Sequence, residues 1–310
     1  MTRIGTTDLD VLPLNLGGNV FGWTADRDQS FAVLDAFAAA GGSFVDTADV
    51  YSQWVPGNSG GESETIIGEW VAARGNRDDV VIATKVGQAG AQPGTSRAAV
   101  QAAIDGSLRR LGTDHVDLYY AHIDDRDTPL EETVAALGEV VAQGKARYVA
   151  ASNFTAERLT EALSIADGLG VARFVALQPH YNLVHRDEYE GALQDLAVAE
   201  DLAVLPYSSL ASGFLTGKYR DGAAVDSPRA GGAGRYLDDR GRNVLAALDR
   251  VAADTGASVT TVALAWLRAQ PGIAAPIASA RSTEQLPDLI AAATLELSGA
   301  QVRALTDASA

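Results

Sequence analysis

The chain has 310 residues, 47% hydrophobic and 21% charged, with a formal net charge of −16 and no cysteine. That length can bury a large core, and the missing cysteines exclude disulfides and thiolate metal sites. The acidic balance argues against nucleic acid or an anionic membrane as partner, but not against a small anionic ligand. Charges farther than roughly 8 Å are screened at physiological salt, so a few local arginines outweigh the global field. Met1 to Asp10 is polar and no apolar run approaches membrane-spanning length, so a cytoplasmic protein without a secretory signal is expected.

In chain order, Thr6-Thr7-Asp8 marks an N-terminal hairpin, and eight short apolar runs then read as strands. Leu12 to Leu16 precedes Asn19. Phe44-Val45 stops at Asp46, with Tyr51 five residues on, and Val80 to Ala83 leads to Lys85. Val116 to Tyr120 leads to His122, Arg147 to Ala151 to Ser152 and Asn153, and Phe174 to Leu177 to Gln178. Ala203 to Leu205 precedes Tyr207, and Ile273 to Ile277 precedes Ser279 and Arg281. Between the runs lie helix-period segments such as Val100, Ile104, Leu108 and Leu111, then Val134, Leu137 and Val141, then Leu159 and Leu163. Ser96 and Thr155 fit as N-caps, and Gly112, Gly144 and Gly170 sit just past helix ends.

Strict alternation of strand and helix predicts parallel strands joined by right-handed crossovers. Eight units predict an α/β fold of the (β/α)8 TIM-barrel type, which typically needs ~250 residues. The surplus fits an N-terminal β-hairpin cap, a long loop from Ser208 to Arg240 after strand seven, and an extra C-terminal helix after Ser298. A doubly wound sheet would open with a glycine fingerprint that Leu16-Gly17-Gly18-Asn19 lacks. No linker or repeat interrupts the chain, so residues 1–310 are read as a single domain.

A barrel places its chemistry just after the strands, and every such position here is polar or titratable. The chain's only lysines are Lys85, Lys145 and Lys218, so a lysine closing an apolar strand is wanted for its compact ammonium. Buried, it needs an anion, and Asp46 is the natural partner. Tyr51 would be the acid: a nearby lysine cation stabilises the phenolate, lowers the phenol pKa and tunes the hydroxyl for proton exchange with a carbonyl oxygen. His122 would orient that carbonyl. A Schiff-base role for Lys85 is disfavoured, because Asp46 keeps the amine protonated.

Other signals in the chain are weaker. Gly213 to Lys218 is one residue short of a phosphate loop, and Tyr219 stands where the metal-binding hydroxyl would be. Its glycine amides and Lys218 can still meet a phosphate. His180 and His185 are wrongly spaced for one helical face, so no metal is expected. Trp23 and Trp54 follow the first two strands, where they read equally as pocket walls or packing.

Phe44 to Tyr51, Gly61 to Gly68, Ile82 to Lys85, Leu111 to His122 and Gly144 to Phe154 together resemble the signature of the aldo-keto reductase superfamily. Gln178 to Asn182, Tyr207 to Gly213 and Leu264 to Trp266 agree, and the resemblance runs from about Arg3 to Leu305. It is nearest to bacterial members related to potassium-channel β-subunits. The resemblance implies a metal-free barrel that binds NADPH, with NADH weaker, and reduces small aldehydes and ketones to alcohols. The alternative it carries is a cofactor-binding redox-sensing or regulatory subunit with little turnover.

On this resemblance the catalytic tetrad falls on Asp46, Tyr51, Lys85 and His122. Ser152, Asn153 and Gln178 would hold the nicotinamide carboxamide, and Tyr207 would stack on its ring. Ser208, Ser209, Leu210, Ala211, Gly213 and Lys218 would cover the pyrophosphate. Ser279, Arg281, Gln285 and Asp288 would meet the adenosine end, with Arg281 facing a 2′-phosphate. Gly18, Asn19 and Val20 complete the expected cofactor contacts. Ser209, Ala278-Ser279 and Leu289 depart from the usual proline, Pro-Gly and asparagine at those positions. Substrate specificity is expected in the Ser52 to Gly60 loop, the Ile123 to Thr128 loop and the chain around Asp221 to Tyr236.

Overall fold

A computed structural model describes residues 1–88, 93–220 and 227–310, so part of the expected Asp221 to Tyr236 specificity segment lies outside the described residues. Two short strands, β1 (Thr2–Arg3) and β2 (Asp10–Val11), pair antiparallel as the expected hairpin. Eight parallel strands follow: β3 (Asn15–Gly17), β4 (Phe44–Asp46), β5 (Val81–Val86), β6 (Val116–Ala121), β7 (Ala146–Ser152), β8 (Phe174–Gln178), β9 (Ala203–Val204) and β10 (Ile277–Ala278). Their order is β10-β3-β4-β5-β6-β7-β8-β9. The sheet closes where Ala274 N–H donates to the Val204 carbonyl and Ile277 N–H to the Pro206 carbonyl, both at 2.9 Å. The fold is a (β/α)8 barrel.

The first and last barrel strands are shorter than their apolar runs. Pro13 has no N–H, and Leu14 N–H turns back to the Leu12 carbonyl at 2.6 Å, so pairing begins at Asn15. Pro276 likewise interrupts the last run, leaving β10 only Ile277–Ala278.

Helices α1 (Arg27–Ala39), α2 (Glu62–Arg74), α3 (Arg97–Leu111), α4 (Leu130–Ala142), α5 (Ala156–Leu169) and α6 (Ala192–Ala199) follow β3 to β8. The hydroxyls of Ser96 and Thr155 accept from backbone amides of Ala99 and Arg158, each cap contributing ~1 kcal/mol. Between β9 and β10 lie α7 (Ala230–Gly234), α8 (Asp239–Thr255) and α9 (Val259–Arg268); after β10 come α10 (Leu286–Ala291) and α11 (Gly299–Ala308). The terminal helix is the one expected after Ser298, which closes a capping box with Gln301, and it packs on α8. No helix among the described residues is long and apolar enough to cross a membrane.

Two cores result. One, between strands and helices, includes Leu16, Val45, Ile82, Tyr119 and Val149. The other fills the barrel with Phe44, Ala83, Leu118, Tyr120, Ala150 and Ala176, closed at the floor by Ile4, Leu9 and Val11 of the hairpin. Gly5, between the hairpin strands, has φ 52°, and a Cβ there would lie 2.6 Å from the Val175 carbonyl oxygen. Only glycine lets the cap sit this close.

Candidate active site

Side chains alternate across a strand, so the inward face of each barrel strand continues by twos toward the rim. Phe44 is followed by Asp46, Ala83 by Lys85, Tyr120 by His122, Ala150 by Ser152 and Ala176 by Gln178. The same period that buries the floor aims polar groups into the mouth. Register staggers them around the barrel: Asp46 pairs with Ala83 and Lys85 with Tyr120, each two residues before the next strand's polar group, while Ser152 pairs directly with Gln178.

At this level Lys85 Nζ is fully buried and donates to Asp46 Oδ2 at 2.5 Å, the Thr47 carbonyl at 2.8 Å and Tyr51 Oη at 2.8 Å. Its three donors are all satisfied, as a buried ammonium requires. Tyr51 Oη donates to Asp46 Oδ2 at 3.2 Å, and Gln178 Nε2 donates to Asp46 Oδ1 at 2.9 Å. Ser152 Oγ donates to the Gln178 carbonyl at 2.9 Å. Asn153, at φ 60°, donates to the His122 carbonyl at 2.9 Å and accepts from Tyr207 Oη at 2.9 Å. Asp46, Tyr51, Lys85 and Gln178 are thus bonded side chain to side chain, whereas His122 joins through its backbone carbonyl and its buried Nδ1 has no partner among the described residues.

Electrostatics correct one expectation. Burial first, then the Asp46 carboxylate, push the Tyr51 phenol well above the usual tyrosine range, against the lowering that Lys85 alone would cause. The hydroxyl therefore stays protonated near neutrality, the state a proton donor needs. Burial lowers the Lys85 ammonium, with Asp46 the main opposing influence. Burial, seconded by the Lys85 cation, holds His122 well below the ordinary imidazole value. It is therefore neutral near pH 7, with one ring N–H to offer a carbonyl oxygen. Asp49, buried beside Glu64, is pushed up to about 7, chiefly by burial.

These groups close one end of a cleft with a cavity volume of about 620 Å³. Its wall includes Asp46, Tyr51, His122, Ser152, Asn153, Gln178 and Tyr207 at that end. Asn19, Val20, Ser208, Ser209, Leu210, Gly213, Lys218, Ser279, Arg281, Gln285 and Asp288 also line the cleft. Three expected residues lie off this wall. Lys85 sits behind Asp46 and Tyr51, and Ala211 is fully buried. Gly18 donates to the Asp46 carbonyl at 2.7 Å, and a Cβ there would meet Ser63 Oγ at 2.8 Å, so it serves close packing of β3 on β4.

Arg229 was missed. It precedes α7, lines the cleft, lies 5.4 Å from the Trp23 ring centroid and donates to Asn19 Oδ1 at 3.2 Å. Burial lowers its guanidinium, as does neighbouring Arg281. Among the described residues neither these arginines nor Lys218 forms a salt bridge, so three cations face one cleft in an acidic protein. That donor set fits an elongated anionic cofactor: amide and hydroxyl groups at one end, Lys218, Arg229 and Arg281 along the rest.

His180, His185 and Glu188 do bring donor atoms within 4.8 Å of one another. The two imidazoles stack at 3.7 Å and 17°, however, so their in-plane lone pairs run side by side rather than converging on one ion. His180, lowered to about 4 mainly by burial, also stacks on Tyr207 at 5.2 Å.

A closed eight-stranded barrel with ionisable groups at its C-terminal rim defines a class of enzyme scaffold, and the sequence comparisons name the family. The model of the Aldo/keto reductase family matches residues 13–310, and the chain belongs to that family of oxidoreductases. It is 35% identical over 295 residues to a probable voltage-gated potassium channel subunit beta of Oryza sativa subsp. japonica, covering 92% of this chain and 88% of the relative. It is 33% identical over 330 residues to an aryl-alcohol dehydrogenase [NADP(+)] of Phanerodontia chrysosporium, covering 96% and 83%. With the uncharacterized oxidoreductase YrpG of Bacillus subtilis (strain 168) it shares 34% identity over 319 residues, covering 99% and 94%.

Proposed function

We propose that this chain is an NADPH-dependent reductase of small aldehydes and ketones, with Tyr51 as the proton donor. The observation that carries the reading is the Tyr51 hydroxyl, held between Lys85 at 2.8 Å and Asp46 at 3.2 Å on the wall of a cleft that neutral His122 shares. When bound, NADPH supplies a hydride from C4 of its nicotinamide. The substrate carbonyl oxygen accepts hydrogen bonds from Tyr51 and His122, which polarise it. Tyr51 gives up its proton as charge develops on that oxygen. The adjacent Lys85 ammonium stabilises the phenolate left behind, and Asp46 holds Lys85 in place. Ser152, Asn153 and Gln178 would hold the carboxamide, with Tyr207 against the ring. Lys218 and Arg229 would meet the phosphates, and Arg281 a 2′-phosphate.

The aryl-alcohol dehydrogenase relative, named for NADP(+), supports both the reaction type and the cofactor. The channel-subunit relative favours a second reading, a regulatory subunit that binds cofactor and turns over little. NADPH consumption against aldehydes, diketones and keto-sugars, run beside NADH, separates them. Multiple turnovers with NADPH support the reductase. Tight NADPH binding without turnover on any carbonyl selects the regulatory subunit.

A further inference from the structure

The residue after Tyr51 has φ 70°, a left-handed conformation unfavourable for serine. Ser52 is also fully buried. Strain of this kind persists only where the surroundings over-determine it, and it gathers at functional sites. Here the surroundings are explicit. Ser52 Oγ donates to the Phe21 carbonyl at 2.7 Å. Asn58 Nδ2 donates to the Ser52 carbonyl and to the Gly22 carbonyl, both at 3.1 Å. Two bonds thus stitch the loop after β4 to the turn after β3, and the third, from Asn58 to Ser52, braces that loop internally.

Each stitched segment carries an indole. Trp23 follows Gly22, and Trp54 lies two residues past Ser52. Their rings meet edge to face at 5.5 Å and 88°, and Trp54 meets the Tyr51 ring at 6.3 Å. Trp23 and Tyr51 both line the cleft, and aromatic rings in this arrangement attract beyond their simple burial.

We infer that Ser52 and Asn58 are positioning residues: they clip the two loops together, hold Tyr51 at its angle to Lys85, and brace Trp23, on the cleft wall, against Trp54 behind it. The kinetic part rests on the reductase reading, whereas the clip itself does not. The clip acts through Tyr51 and the indoles rather than by touching substrate or cofactor. Breaking it misplaces the acid chiefly, since among the expected cofactor residues only Asn19 and Val20 adjoin the clipped turn.

Two substitutions separate the donors from bulk and strain. Asn58→Asp keeps the shape and removes the N–H donors. Ser52→Gly removes the hydroxyl and suits φ 70°, so the backbone is relieved rather than burdened. Each should lower kcat for benzaldehyde about tenfold to a hundredfold, the scale of a small misplacement, with a smaller change in NADPH Kd because Asn19 and Val20 adjoin the clipped turn. Each should also abolish the near-ultraviolet circular-dichroism signal of the indole pair, identified by its loss in Trp54→Phe. Retention of that signal in Ser52→Gly overturns the clip whatever the rate, and also decides the matter if Asn58→Asp does not fold. If the wild type reduces no carbonyl, the reductase reading falls, and the indole signal alone still judges the clip.

Discussion

The two ends of the barrel interior are made by the same strands with the same period of two, yet they solve opposite problems. At the floor Phe44, Leu118 and Ala176 meet Ile4, Leu9 and Val11 of the hairpin, all apolar and all at most 3% exposed. Two to four residues along the same strands, Asp46, His122 and Gln178 are nearly as buried and are polar. Depth is therefore not what distinguishes the ends. The floor gains stability from apolar burial. The rim accepts the cost of buried charge, offset by the three hydrogen bonds from Lys85 and the amide of Gln178, and holds the Tyr51 hydroxyl between Lys85 and Asp46.

Substitutions at each end should break in different observables. At the rim, Tyr51→Phe removes only an oxygen, so carbonyl reduction should fall by about 10²–10⁴-fold while NADPH binding persists. Steady-state rates and fluorescence titration check it, and near wild-type kcat would remove Tyr51 from the chemistry. Lys85→Met strands Asp46 as an unpaired buried carboxylate, which should cost about 3–5 kcal/mol of stability together with activity. Denaturant melts of this variant that overlay the wild type would mean the pair carries no energy.

At the floor, Leu118→Ala should cost about 2–5 kcal/mol by opening a cavity, with KM and kcat of the folded fraction unchanged. A selective loss of kcat there would show that floor packing tunes the rim. The smallest effect belongs to Arg281, on the cleft wall. Arg281→Ala should remove a charge-assisted bond of about 1.5–3 kcal/mol, weakening NADPH roughly tenfold to a hundredfold and leaving NADH nearly unchanged. Equal losses for both cofactors would mean that Arg281 does not read the 2′-phosphate.

Much of the architecture is legible in the chain, because apolar runs that stop at Asp46, Lys85 and His122 mark strand ends whatever the tertiary context. Caps are similarly local, and Ser96, Thr155 and Ser298 all cap helices. Properties set by distant partners are not local. Arg229 meets Asn19 across 210 positions, from a segment without periodicity. The upward displacement of the Tyr51 phenol depends on burial, which the pairing with Lys85 does not reveal. The strain at Ser52 appears only once Asn58 and Phe21 are seen to hold it. Pro13 was visible from the start, and its missing amide is why β3 begins at Asn15. The amphipathic run of Val244, Leu248 and Val251 was an available signal for α8.

The closing seam of the barrel has a temporal consequence. Ser279, just past β10, donates to Asn19, just past β3, at 2.7 Å, and β10 reaches β3 only when the last strand docks. A slip of one residue between β4 and β5 would exchange Lys85 for Thr84 on the inner face. Catalysis should thus report completed closure, with helix content accruing before it. During refolding from denaturant, turnover should return later than far-ultraviolet ellipticity and in step with NADPH quenching, so the clock of assembly can be read from the enzyme's own product.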